Sequence, residues 1–158
     1  MFAPGEIIYG FAKSTNPPKN KYLITIYRDD TLNIIASFTT SQARAGVPPE
    51  MIHHGAIIND ENKCLSYVFE AKKEIGFDPR DGKPFSFPLR TTVTFDYGII
   101  EGRYEQIQAQ FENPEVVCKL NESEYIDLIY AMYKSHHTKA RHKDILNRIL
   151  EQYYSKIE

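Results

Sequence analysis

Apolar positions along most of this chain fall in short runs of β-forming residues, and only near the C-terminus do they settle into helical spacing. Residues 6–11 carry Ile7, Ile8 and Tyr9 behind Pro4-Gly5, which predicts a short strand. Residues 13–21 hold Asn16-Pro17-Pro18 and are read as irregular, because proline fixes φ and removes a backbone donor. The run 22–27 is strongly β-forming. Arg28-Asp29-Asp30 then supplies turn chemistry before a second run at 32–38, so the two are read as a hairpin. A further strand is expected at 64–69, followed by an exposed loop, Asp78-Pro79-Arg80-Asp81-Gly82-Lys83-Pro84. From Thr91 to Phe95 threonine alternates with valine and phenylalanine, which predicts a half-buried strand that Ile99 and Ile100 extend or follow.

Past Pro114 the period changes. Asn121 is placed to cap a helix, Glu124 to close a capping box and Leu120 to pack on Tyr125 as a staple, with Ile126, Ile129, Tyr130 and Tyr133 on one apolar face. After a break at 135–138, Ile145, Ile149 and Tyr153, with Leu146 and Leu150 beside them, predict a second helix. Several strands followed by two C-terminal helices indicate an α+β, mainly β fold, with a small, strongly curved antiparallel sheet or partly open barrel. The chain is read as one domain, 1–158, in which 135–158 forms an appended helix.

Composition sharpens this only in places. A hydrophobic content of 42% over 158 residues suits a globular core. The formal charge of −2 excludes a uniformly basic nucleic-acid binder while leaving room for a local basic patch. Cys64 and Cys118 have no CxxC spacing and read as buried free thiols of a reducing compartment. With no long apolar run and no leader pattern, a cytoplasmic location without a membrane span is expected.

Two stretches concentrate candidate chemistry. Thr39, Thr40, Ser41 and Gln42 open the run Phe38-Thr39-Thr40-Ser41-Gln42-Ala43-Arg44-Ala45-Gly46-Val47-Pro48, where a strand passes into a loop. The stretch 12–21 brings Lys13, Lys19 and Lys21 with no acid. Positive charges beside hydroxyl and amide donors suit the nonbridging oxygens of a phosphate diester. The second stretch, 134–148, carries Lys134, Lys139, Arg141, Lys143 and Arg148 interleaved with His136, His137 and His142, and reads as a solvated basic helix face, with contact to an RNA backbone or an acidic partner as the alternative. Those histidines lack i, i+4 spacing and His53-His54 lacks an obvious carboxylate or thiol partner, so neither a metal site nor any cofactor is expected. Most of the many aromatic residues belong to the core, with Tyr22, Tyr67 or Phe69 as candidates for base stacking.

The order of these features resembles the MazF/PemK toxin family. Pro4-Gly5-Glu6-Ile7-Ile8-Tyr9 is similar to its opening strand, and Lys21-Tyr22 before Leu23-Ile24-Thr25-Ile26 to its Arg-Pro and following strand. Phe38-Thr39-Thr40-Ser41-Gln42, with Val47-Pro48 downstream, resembles its Thr-Ser-Gln element. The stretch 93–101 and the helix start Lys119-Leu120-Asn121-Glu122-Ser123-Glu124 resemble its late strand and closing helix. The resemblance runs over residues 4–134 and implies an SH3-like barrel of a type II toxin–antitoxin system. It also implies metal-independent cleavage of single-stranded RNA through a 2′,3′-cyclic phosphate, a homodimer, and an acidic antitoxin segment lying in the RNA groove. Carried over by position, Lys21 and Thr40 become the catalytic pair, with Lys19, Thr39, Ser41, Gln42 and Arg90 around the phosphate. Lys21 stands where the family has arginine, and a point charge does not reproduce a planar fork. A noncatalytic RNA- or protein-binding module on the same barrel is therefore the alternative. The gyrase-poisoning branch depends on a tryptophan that this chain lacks.

Overall fold

Paired isoleucines explain most of the architecture. In a strand, successive side chains point to opposite faces, so an apolar pair marks a strand covered on both sides. Ile7, Ile24 and Ile35 enter the larger core, while their neighbours Ile8, Leu23 and Ile34 enter a smaller one with Phe2, Ala36, Ile107 and Phe111. A computed structural model of the chain describes residues 1–42, 47, 49–59, 61 and 63–157. Ala43-Arg44-Ala45-Gly46 and Pro48 of the strand-end run lie outside the described residues.

The first three strands are β1 (Glu6–Ala12), β2 (Lys19–Arg28) and β3 (Asn33–Thr40). A 3-10 turn (Pro49–Met51) precedes β4 (Gly55–Ile58), β5 (Cys64–Phe69) and the small hairpin of β6 (Gly76–Phe77) and β7 (Pro84–Phe85). Then come β8 (Thr91–Thr94), β9 (Ile99–Arg103), the short helix α1 (Tyr104–Gln108) and β10 (Phe111–Leu120). Two helices close the chain, α2 (Glu122–Lys134) and α3 (Ala140–Ile157). The strands run in the order β4-β5-β8-β3-β2-β1-β10-β6-β7, with β9 also paired to β3. Every ladder is antiparallel. The expected class holds: a strongly curled antiparallel half-barrel, mainly β, followed by C-terminal helices.

Several local expectations are corrected. Lys19, Asn20 and Lys21 are strand rather than loop, because they pair with Ala12, Phe11 and Gly10 of β1. The prolines occupy only the connection between the two strands. β8 is buried along its whole length, not half-buried, since β5 and β3 flank it and both faces are covered. The run at 111–120, unforeseen as a strand, pairs along β1, and Pro114 sits at the irregularity between Tyr9 and Phe11 where a missing N–H is tolerated. On α2 the buried face is Ile126, Leu128, Ile129, Ala131 and Met132, and Tyr130 points to solvent.

α3 packs on α2 and sends Leu146 and Leu150 into the larger core. Its N-terminal turn is tied to β9, where Arg141 donates to both Glu101 oxygens and His142 Nε2 lies 3.0 Å from Glu101 Oε1. Those bonds, Arg141's first, pull the Glu101 carboxyl down from its ordinary 4.5 to about 2. Folding therefore favours the ionised form, and this contribution is complete above the unfolded carboxyl's titration and lost as pH falls from about 4.5 to about 2. In an acid titration followed by circular dichroism, Glu101→Gln should remove the part of the stability loss that falls in this window. An unchanged acid limb would show that the clamp adds nothing.

Candidate functional site

The site begins where β3 changes partners. Its first half, Asn33 to Ser37, pairs with β9, and the β2–β3 ladder ends at Leu23 and Phe38. Beyond that rung β2 stays with β1, through Tyr22 opposite Tyr9 and Lys21 opposite Gly10. β3 instead crosses to β8, through Thr39 opposite Val93 and Thr40 opposite Thr92. Two strands that part in this way leave a fork. The Thr39 hydroxyl, 3.5 Å from the Tyr22 carbonyl, lies at its apex.

The fork is an open cleft of about 220 Å³. Lys19 and Lys21 line it from β2, and Thr39, Thr40, Ser41 and Gln42 from the end of β3. Six residues expected to act together are thus brought to one place. Lys13 is not among the lining residues, and neither is Arg90. Arg90 is held elsewhere by Glu70, with bonds of 2.9 and 3.1 Å from Nε and Nη2 to the two carboxylate oxygens. It borders a second cavity, which shares Ser41 and Gln42 with the cleft.

Among the described residues no carboxylate lines the cleft and none pairs with Lys19 or Lys21. Partial burial, and then the neighbouring Lys19 charge, lower the Lys21 ammonium pKa. An anion entering here would be met by two uncompensated cations in a partly desolvated setting, where charge interactions outweigh those in water. The Thr40 Oγ1 accepts the Gln42 N–H at 3.1 Å, which orients the hydroxyl and leaves its hydrogen for a ligand.

Tyr9 was overlooked in the sequence. It is an exposed position of β1, and its ring lies 4.5 Å from that of Tyr22 on the cleft wall. Phe11, two residues on, is exposed as well, so the sequence alone does not single Tyr9 out. Burial raises the Tyr22 phenol pKa, and Phe87 holds its ring edge-on at 4.9 Å. Tyr67 and Phe69, also candidates for base stacking, are fully buried in the larger core and are withdrawn.

Two other expectations change. The basic stretch at 134–148 is not simply solvated, because Arg141 and buried His142 are spent on Glu101. His54 does have a carboxylate partner. Glu124 Oε1 lies 2.6 Å from His54 Nε2 and accepts the Tyr67 hydroxyl at 2.8 Å, while His54 Nδ1 accepts the Glu70 N–H at 3.1 Å. That last bond assigns the neutral ring's proton to Nε2. Glu124 consequently does not close a capping box, and Asn121 makes no side-chain cap bond. Among the described residues there is no cluster of three or more metal-ligating groups, and no helix is long and apolar enough to cross a membrane.

No family model, curated protein or solved structure matches this chain.

Proposed function

We propose that this protein is a metal-independent endoribonuclease of the MazF/PemK type, which cleaves single-stranded RNA in the forked cleft. The observation that carries the reading is the convergence of Lys21 and Thr40 on one cleft lined, among the described residues, by no acid. The Tyr9–Tyr22 pair on its wall offers faces on which an unpaired base stacks.

In the reaction, the ribose 2′-oxygen bonds to the adjacent phosphorus as the bond from phosphorus to the 5′-oxygen breaks. The products are a 2′,3′-cyclic phosphate and a 5′-hydroxyl. Lys21 donates its proton to the departing 5′-oxygen, a role helped by its lowered pKa. The Lys21 charge also clamps the diester, and with Lys19 and the Thr40 hydroxyl it takes up charge on the nonbridging oxygens. The cleft lining described offers no carboxylate or imidazole, so the 2′-hydroxyl proton passes to water as the 2′-oxygen attacks. Catalysis on this scheme rests on charge stabilisation and leaving-group protonation, which sets a modest rate.

Incubation with a long single-stranded RNA tests this directly. Fragments ending in cyclic phosphate should accumulate equally with and without EDTA. RNA left intact at high protein concentration, by wild type and Lys21→Ala alike, would end the nuclease reading. Lys21 in place of an arginine favours a second reading, a noncatalytic binding module that retards RNA without cutting it. On the leading reading the protein acts in the cytoplasm as a homodimer, and an acidic antitoxin segment competes with RNA for the same cations.

A further inference from the structure

The second cavity, next to the cleft, has a built interior of about 140 Å³. A liquid water occupies roughly 30 Å³, so the space is that of one ring system rather than of a stack. Its floor is three neighbouring strands. Ser66 and Val68 point to the same face of β5, Ile57 lies opposite Ser66 on β4, and Thr92 lies opposite Val68 on β8. Val47 and Ile52 add apolar wall, and Arg90 stands at the edge.

The floor carries two hydroxyls that the fold does not use. Ser66 is 2% exposed and Thr92 9%, and among the described residues neither hydroxyl makes a hydrogen bond; both line the cavity, whereas the fully buried hydroxyl without a partner is that of Thr25, elsewhere. Unclaimed by the protein and open to the cavity, the two hydroxyls can donate to or accept from a group that enters it. Arg90 is in a similar position. Glu70 holds its Nε and Nη2 and so fixes the plane of the guanidinium, while Nη1 has no partner among the described residues. A mainly apolar cavity with two hydroxyls on its floor and a guanidinium at its edge matches a heterocycle that carries a ring carbonyl.

We infer that this cavity receives one unstacked nucleobase of the RNA whose phosphate occupies the cleft, and that it selects guanine or uracil over adenine. Ser41 and Gln42 line both spaces, so a phosphate in one and its neighbouring base in the other lie within one nucleotide step. Arginine only donates, and the carbonyl edges of guanine and uracil present acceptors where adenine presents an amine. The inference rests on the ribonuclease reading for its ligand, but its test does not need cleavage.

The experiment uses four fluorescein-labelled 2′-O-methyl hexamers, which cannot be cut. Each is adenine except at one central position, which carries G, U, C or A. Binding is read by anisotropy for the wild type and for the double variant Ser66→Ala/Thr92→Val. Because the two hydroxyls have no protein partner, the variant should keep the wild-type melting temperature. The wild type should bind the G or U hexamer about 10-fold or more tightly than the all-adenine one, and the variant should bind that same hexamer about 10-fold more weakly than the wild type does. Equal binding of the four by wild type, an undiminished affinity of the variant for the G or U hexamer, or no binding at all would overturn the inference. Base-selective binding with unmodified RNA left whole would instead sink the nuclease reading and leave the base pocket standing.

Discussion

Lys21→Ala should lower the rate of RNA cleavage by about 10²–10³-fold, the usual cost of removing one preorganised donor from a developing oxyanion. The lysine sits on a paired stretch of β2, opposite Gly10, so truncation removes a charge without disturbing a core contact. A melting temperature within a degree or two of wild type should accompany the loss. Lys21→Arg separates the two tasks assigned to this residue. Arginine restores the charge, and brings a fork for the phosphate, but gives up no proton in the accessible pH range. Restoration to within about tenfold of wild type is the expected result, because clamping the diester supplies the larger share. The pH profile carries the remainder. The reacting form of Lys21 is the ammonium, and burial and Lys19 lower its pKa, so wild-type activity should fall on the alkaline side below the ordinary lysine range. The arginine variant should lack that limb. Cleavage by Lys21→Ala at the wild-type rate would remove the residue from the mechanism.

Gly76→Ala should be the most damaging glycine-to-alanine change among the described residues. Gly76 pairs with Leu120 where β6 meets β10, and a Cβ there would overlap the Lys119 carbonyl oxygen and come within 2.9 Å of Cys118 Sγ. Backbone cannot swing aside as a side chain can. The strands must part, and Ile75 and Phe87, both fully buried beside them, lose their cover. Overpacking ordinarily costs 1–3 kcal/mol, and a clash with backbone belongs at the upper end or beyond, about 3 kcal/mol or more. For a chain of this size that corresponds to a fall of roughly 6–12 °C in melting temperature. Gly82→Ala is the comparison. Nothing lies within 4 Å of its Cβ position, and only its positive φ resists the change, at about 1–2 kcal/mol. If Gly76→Ala cost no more than Gly82→Ala, the tight β6–β10 approach would not be needed.

What the sequence discloses follows the range of the interactions involved. Ile7-Ile8, Leu23-Ile24 and Ile34-Ile35 announce strands covered on both faces, because strand alternation is local. β10 hides for the opposite reason. Glu112, Asn113, Pro114 and Glu115 give it a polar, proline-broken start, and only pairing with β1 makes it a strand. The cationic and hydroxyl-bearing halves of the cleft were each legible as strand chemistry. Their meeting was not, because it depends on β3 leaving β2 for β8. Glu124 shows the same limit. Its position fits a capping box, but His54 and Tyr67, far away in the chain, claim the carboxylate. The unused hydroxyls of Ser66 and Thr92 could not be told from ordinary strand residues until their neighbours were known.

The divided allegiance of β3 has a mechanical consequence. One jaw of the fork is stitched to β1 and the other to β8, so neither can swing without tearing backbone rungs on its far side. The aperture is therefore a fixed gauge rather than a hinge. A guest that fits meets its donors already spaced, and one that is too wide is refused by the sheet itself.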